Sequence, residues 1–137
     1  MKKVKWILCV LLCAIVVFLC FETYLYFNPV VELNIGRPVD GREIDSPVLR
    51  IDSKCIFGIS KDVEEHLLDY SVKVDPLYRD IITEHRNLQS LHMNVSTEKN
   101  STLICFDGQS LNDDNSIDTI HEEIVLDYRL FTNIVYE

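Results

Sequence analysis

Three short stretches of this chain hold residue types able to do chemistry, and each can be tested against the spacing that chemistry requires. His121-Glu122-Glu123 begins like the helix of a zinc hydrolase, in which a second histidine one turn on supplies the other imidazole; that position is Val125, so the two-histidine face does not form. The segment 112–123 has the length of a calcium loop, with Asp114, Ser116 and Glu123 at ligand positions. Ile117, however, stands where the sharp turn needs glycine, and Asn112 replaces the leading aspartate. Gly108-Gln109-Ser110-Leu111-Asn112 lacks the second glycine of a nucleophile elbow. The remaining glycines, Gly36, Gly41 and Gly58, are too dispersed to cradle a phosphate. His66, His85 and His92 are scattered and read as ordinary packed or exposed histidines. No catalytic residue, metal ligand or cofactor is therefore expected, and the chain reads as a non-enzyme.

The cysteines carry more information. Cys9, Cys13 and Cys20 fall in one apolar run, whereas Cys55 and Cys105 lie outside it as an isolated pair. In an oxidising compartment that pair is expected to close a disulfide around a 51-residue loop, a cross-link of about 4 kcal/mol by chain entropy. With the orientation reversed, the same residues would be two reduced, buried thiols. Two glycosylation sequons, Asn94-Val95-Ser96 and Asn100-Ser101-Thr102, would be exposed glycan sites in a eukaryotic or viral type II membrane protein.

The elements that must position these residues begin with the anchor. Trp6 to Phe21 is sixteen residues without a charge, preceded by Lys2, Lys3 and Lys5. Sixteen helical residues reach only about 24 Å, short of the roughly 30 Å hydrocarbon core, so the span must run further. Glu22 can snorkel, and Tyr24, Tyr26 and Phe27 supply an aromatic belt at the far interface, as Trp6 does at the near one. Residues 1–27 are thus read as a cytoplasmic tip and transmembrane helix. A cleaved signal needs small residues at its exit, yet Leu19, Cys20, Phe21 and Glu22 occupy it; a lipoprotein signal needs a small residue before the cysteine, yet leucine precedes all three. The lysines set the N-terminus inside and residues 28–137 outside, and the short basic start reads as bacterial, with the domain periplasmic.

Residues 28–47 hold three of the four prolines and read as a stalk, with Val30, Val31, Leu33 and Ile35 as one short strand within it. The folded domain is expected over 48–137, as an antiparallel sheet with one or two helices, an α+β arrangement. Leu49 and Ile51, then Cys55, Phe57 and Ile59, alternate as strands. Ser60 caps a short helix with Val63, Leu67 and Tyr70 on one face, which gives way to strand near Asp69 as Leu68, Tyr70, Val72 and Val74 alternate. Asp75-Pro76 starts a second helix carrying Leu77, Tyr78, Ile81, Ile82, His85 and Leu88. Leu91, Met93 and Val95 pair with the run 103–106 across a polar turn at 97–101; Asp107-Gly108 ends that arm, and 110–118 is an acidic loop. Val125 to Tyr136, with Val125, Tyr128, Leu130, Ile134 and Tyr136, closes as a β-rich strand whose open edge a partner could extend.

Charge narrows the partners. The chain carries −9, but ten basic residues against 22 acidic ones follow Phe21, a balance of −12. Such a field repels nucleic acid and favours basic-faced partners. With its basic start, single span and Cys55/Cys105 pair, the layout resembles the small accessory proteins of membrane-bound ToxR-like transcription regulators, the ToxS, TcpH and FidL-like group. The resemblance implies a periplasmic domain that binds and protects the regulator's own periplasmic domain, in some members sensing a small amphiphile in a shared cavity. The alternative function is a membrane-anchored immunity protein that neutralises a basic toxin in the periplasm.

Overall fold

The computed structural model describes residues 1–36 and 43–137. Helix α1 (Lys2–Phe27) leads, followed by β1 (Val30–Gly36), β2 (Glu43–Ile44), β3 (Ser46–Asp52), α2 (Lys61–Glu84), β4 (Leu88–Thr97), β5 (Thr102–Leu111), β6 (Ile117–Leu126) and β7 (Asn133–Tyr136). The fold is α+β. One sheet has the order β3-β1-β7, with β3 antiparallel and β7 parallel to β1; the other has the order β2-β4-β5-β6, with β2 parallel to β4 and the rest antiparallel.

A single apolar cluster joins both sheets to α2. Val31, Leu33 and Ile35 of β1 and Leu91, Met93, Ile104 and Phe106 of β4 and β5 are all at most 2% exposed, and Tyr70, Val74 and Ile81 of α2 belong to the same core. The rings mark the joints: Tyr70 meets Phe131 edge-on at 5.5 Å, and Tyr78 lies 5.9 Å from Phe106. Truncating a side chain such as Phe106 would forfeit about 3–5 kcal/mol.

Four sequence expectations are corrected. The stretch 28–47 is not a stalk: β1 is the central strand of its sheet and sits in the core, because Val31, Leu33 and Ile35 alternate inward. Of its turn residues, Pro38 and Gly41 lie outside the described residues. The segment 61–84 is one helix, without a strand at its middle. Leu68 and Val72 are exposed while Tyr70 and Val74 are buried, so the true stripe has helical spacing and runs through Pro76 into Leu77, Tyr78 and Ile81. Burial along that stripe outweighs the roughly 3 kcal/mol a helix-interior proline costs. Residues 55–59 form no strand but a loop held against α1, turning at Gly58 with φ of 93°. Finally, β5 does not end at Asp107-Gly108. Gly108 continues the strand where a Cβ would lie 2.4 Å from the Ser90 carbonyl oxygen, beside the register shift between Leu88 and Ser90, so only glycine fits there.

Other expectations agree with the structure. Ser60 caps α2, its side chain accepting from the Val63 amide at 3.4 Å, with Asp62 in the first turn. The β4–β5 hairpin closes where Glu98 N donates to Ser101 O at 2.9 Å.

α1 is of different character. It runs 26 residues, about 39 Å, with the exposed apolar stretch Trp6 to Phe21 at its centre, and is long and apolar enough to cross a membrane. Only Glu22 is buried, at 5% exposure. It does not snorkel: its carboxylate accepts the Ile56 amide at 3.0 Å, its carbonyl accepts the Cys55 thiol at 3.3 Å, and Tyr26 O accepts Ser60 N at 2.9 Å. The end of α1 is thereby built into the folded domain.

Candidate functional site

Strand alternation gives the four-stranded sheet an inner face of Ile104, Phe106 and Ile120 and an outer face that carries its polar chemistry. Across the outer face the register sets His92 of β4 opposite Asp107 of β5 and His121 of β6, and Asn94 opposite Cys105 and Glu123. His121 lies between two carboxylates, Nδ1 2.6 Å from Asp107 Oδ1 and Nε2 3.1 Å from Glu123 Oε1. The Asp107 hydrogen bond and charge hold its pKa above the ordinary histidine value, favouring the imidazolium. A second histidine, His92, lies 3.6 Å from Glu43 and 3.7 Å from the buried Asp45. Asp45 ties β2 to the sheet, its amide donating to Leu91 O at 2.8 Å and its carboxylate accepting Met93 N at 3.1 Å.

Cysteine, histidine and aspartate on one face raise the question of a nucleophile. Cys105 Sγ faces Glu123 Oε1 at 3.7 Å, and Glu123 also takes the His121 Nε2 side. Desolvation, then the Glu123 and Asp107 carboxylates, push the thiol's pKa up, so the protonated and poorly nucleophilic form prevails. Both imidazole nitrogens of His121 face carboxylates. No grouping able to hold a metal ion occurs among the described residues.

The predicted disulfide is not formed. Cys55 is buried against the end of α1, while Cys105 alternates away from the core on the outer face; both are free thiols, as are Cys9, Cys13 and Cys20. Pairing apolar-strand cysteines across one core failed because neither sits there: Cys55 is in a loop and Cys105 points out.

The predicted closing strand from Val125 to Tyr136 is two strands. Val125 lies in β6, one residue before its end at Leu126, and is exposed; Ile134 and Tyr136 belong to β7 beside β1. Between them the chain turns inward. Leu130 is 6% exposed, and Tyr128 stacks on His66 with ring centroids 4.0 Å apart, its hydroxyl donating to Asp69 Oδ2 at 2.8 Å and to His66 O at 3.0 Å. Burial, then Asp69, pushes the Tyr128 phenol upward, so it remains a donor that locks this turn to α2. Tyr128 and Leu130 are thus fold residues.

Among the described residues β2, β3, β6 and β7 each end a sheet, and β6, at 10 residues, is the longest of them. It terminates its sheet, pairs with β5 through ten successive positions without a register shift, and contains no proline or lysine to blunt it. The direction of its free groups follows from the turn: Asn112 N donates to Ser116 O at 2.9 Å, and on the other side of β5 Leu111 N donates to Asn87 O at 3.0 Å. By alternation, the backbone N–H and C=O groups of Ile117, Thr119, His121, Glu123 and Val125 face away from β5. Asp118, Glu122 and Glu123 make this edge acidic. Asp114 and Ser116, at calcium-loop positions in the sequence, serve the turn itself: Asp114 Oδ1 accepts the Ser116 hydroxyl at 2.5 Å and the Ser116 amide at 3.0 Å, and these bonds lower its pKa.

Of the residues expected at the membrane interfaces, Trp6, Phe21 and Tyr24 are exposed on α1, and Tyr26 stands edge-on to Phe27 at 5.2 Å. Helical spacing, which pairs His121 with Val125, does not reveal the outer-face cluster. At strand spacing, His121 and Glu123 share a face. No family model, no curated protein and no solved structure matches this chain.

Proposed function

We propose that this protein is a membrane-anchored binding module, held by α1 with its α+β domain outside the cytoplasm, which takes a strand of another protein onto the β6 edge. The observation that carries the reading is the open, regular edge of β6 with five outward-facing backbone positions. Strand addition draws its affinity from main-chain hydrogen bonds. The carboxylates at 118, 122 and 123 would set two copies of this edge against each other by like-charge repulsion and favour a basic partner strand. The contacts of Glu22 and Tyr26 with residues 55–60 support retention of α1 as part of the mature fold. The lysines at 2, 3 and 5 support an inward N-terminus, with a bacterial inner membrane as the setting. An accessory partner of a membrane-bound transcription regulator is the specific form we favour; toxin neutralisation would use the same edge.

Co-purification of the full chain from native membranes tests the reading. Val125→Pro removes an outward-facing N–H from an exposed position and is expected to abolish recovery of the partner even in high salt, with circular dichroism unchanged. Ile124→Pro, which breaks the ladder to β5, should instead unfold the domain. Recovery of the protein alone at every ionic strength would contradict the proposal.

A further inference from the structure

Outside α1, the only two adjacent large apolar side chains left exposed among the described residues are Ile56 and Phe57, at 69% and 64%. They stand at the tip of the loop between β3 and α2, and the loop is fixed in place. Ser53 Oγ donates to Gly58 O at 2.9 Å, Gly58 N donates to Cys55 O at 3.2 Å, and Gly58 turns the chain with a φ that favours glycine. The whole tip is pinned to α1 by the Ile56 amide on the Glu22 carboxylate and the Cys55 thiol on the Glu22 carbonyl.

The height of that pin along α1 decides what the tip meets. About 20 helical residues cover the roughly 30 Å hydrocarbon core, so a crossing counted from Trp6 ends near Leu25. Glu22 then lies about 5 Å inside the boundary. A carboxylate at that depth needs an internal partner, and the Ile56 N–H is one. The surroundings are continuous with the lipid-facing surface of α1. Phe27 is exposed at the helix end, Val30 follows it, and Ile51, in register with Val31, brings a further exposed side chain to the same end of the sheet. Lys54 and Lys61 flank the tip, offset by Asp52 and Asp62, so apolar contact dominates over headgroup charge.

We infer that the 53–59 loop is a second membrane contact of this protein, with Ile56 and Phe57 inserted into the leaflet on the domain side of the bilayer that α1 crosses. Two attachments at one level fix the tilt of the domain. The sheet edges are then presented at a set height, where a single flexible tether would leave them free to rotate. The inference rests on the reading of α1 as a retained membrane anchor.

The test uses single-tryptophan forms of the full chain in phosphatidylcholine/phosphatidylglycerol vesicles, with Trp6→Phe as the common background. Phe57→Trp reports the loop, Phe18→Trp the anchor, and Ile117→Trp an exposed apolar site at the far end of the sheet. Lipids brominated high on the acyl chain should quench the emission of the loop and anchor forms, and aqueous acrylamide should quench only the Ile117→Trp form. If the anchor form is quenched by bromolipid while the loop form is quenched by acrylamide, the second contact is overturned and the anchor stands. If the anchor form is itself open to acrylamide, both readings fall.

Discussion

Gly108 and Gly36 are both strand glycines, and they differ in the space a methyl group would meet. At Gly108 a Cβ would come within 2.4 Å of the Ser90 carbonyl oxygen, 3.1 Å of Leu91 Cδ1 and 3.3 Å of Leu91 Cα, so two of the three obstacles are the backbone of β4. At Gly36 the nearest atom is Ser46 O at 3.8 Å, an ordinary contact. Overpacking against a fixed neighbour costs about 1–3 kcal/mol, while replacing glycine in a strand returns roughly 0.5–1 kcal/mol of backbone entropy. Gly108→Ala should therefore destabilise by about 1–2 kcal/mol net, and Gly36→Ala should be neutral or stabilising by up to about 1 kcal/mol. For a domain of about 110 residues, the first corresponds to a loss of roughly 4–10 °C in Tm. Thermal unfolding of the full chain in detergent micelles, followed by circular dichroism, reads both variants against wild type. Equal Tm values for the two would refute the β4–β5 register and with it the placement of the outer-face residues.

Three further outcomes follow from named contacts. Pro76→Ala, at an exposed position inside α2, restores a donor to the helix and should raise stability by about 1–3 kcal/mol in urea titration; a loss would mean the helix is broken at Asp75. Alkylation after denaturation without reductant should add five adducts by mass, where three would indicate a Cys55–Cys105 disulfide. Because Asp107 raises the folded-state pKa of His121 above the ordinary 6.5, its stabilising contribution is fully present below that value and is lost as pH rises through the raised one. The NMR titration midpoint of His121 should accordingly lie above 6.5 and move down in Asp107→Asn, and an unmoved midpoint would remove Asp107 as the cause.

Where local signals and burial agreed, the sequence was legible. The apolar run from Trp6, the Ser60 cap, the alternation of Leu91, Met93 and Val95 and the 97–101 turn each reappear in the structure. Asp75-Pro76 misled because its local preference for a helix start is worth a few kcal/mol, less than the buried stripe from Leu67 to Ile81 that crosses it. The prolines around β1 suggested a stalk, whereas its neighbours β3 and β7 come from 46–52 and 133–136, pairings no local window contains. The outer-face cluster and the grip of residues 55–60 on Glu22 share that cause: His121 meets Asp107 across strands, and Ile56 meets Glu22 across 34 positions.

Photo-crosslinking in intact native membranes measures the proposed β6 edge most directly. A crosslinking amino acid at Thr119, whose backbone faces outward and whose side chain is exposed, should yield one discrete protein adduct that disappears in the Val125→Pro background, while the same probe at Arg79 on α2 yields none. No adduct at Thr119, or an adduct indifferent to Val125→Pro, would contradict binding through this strand.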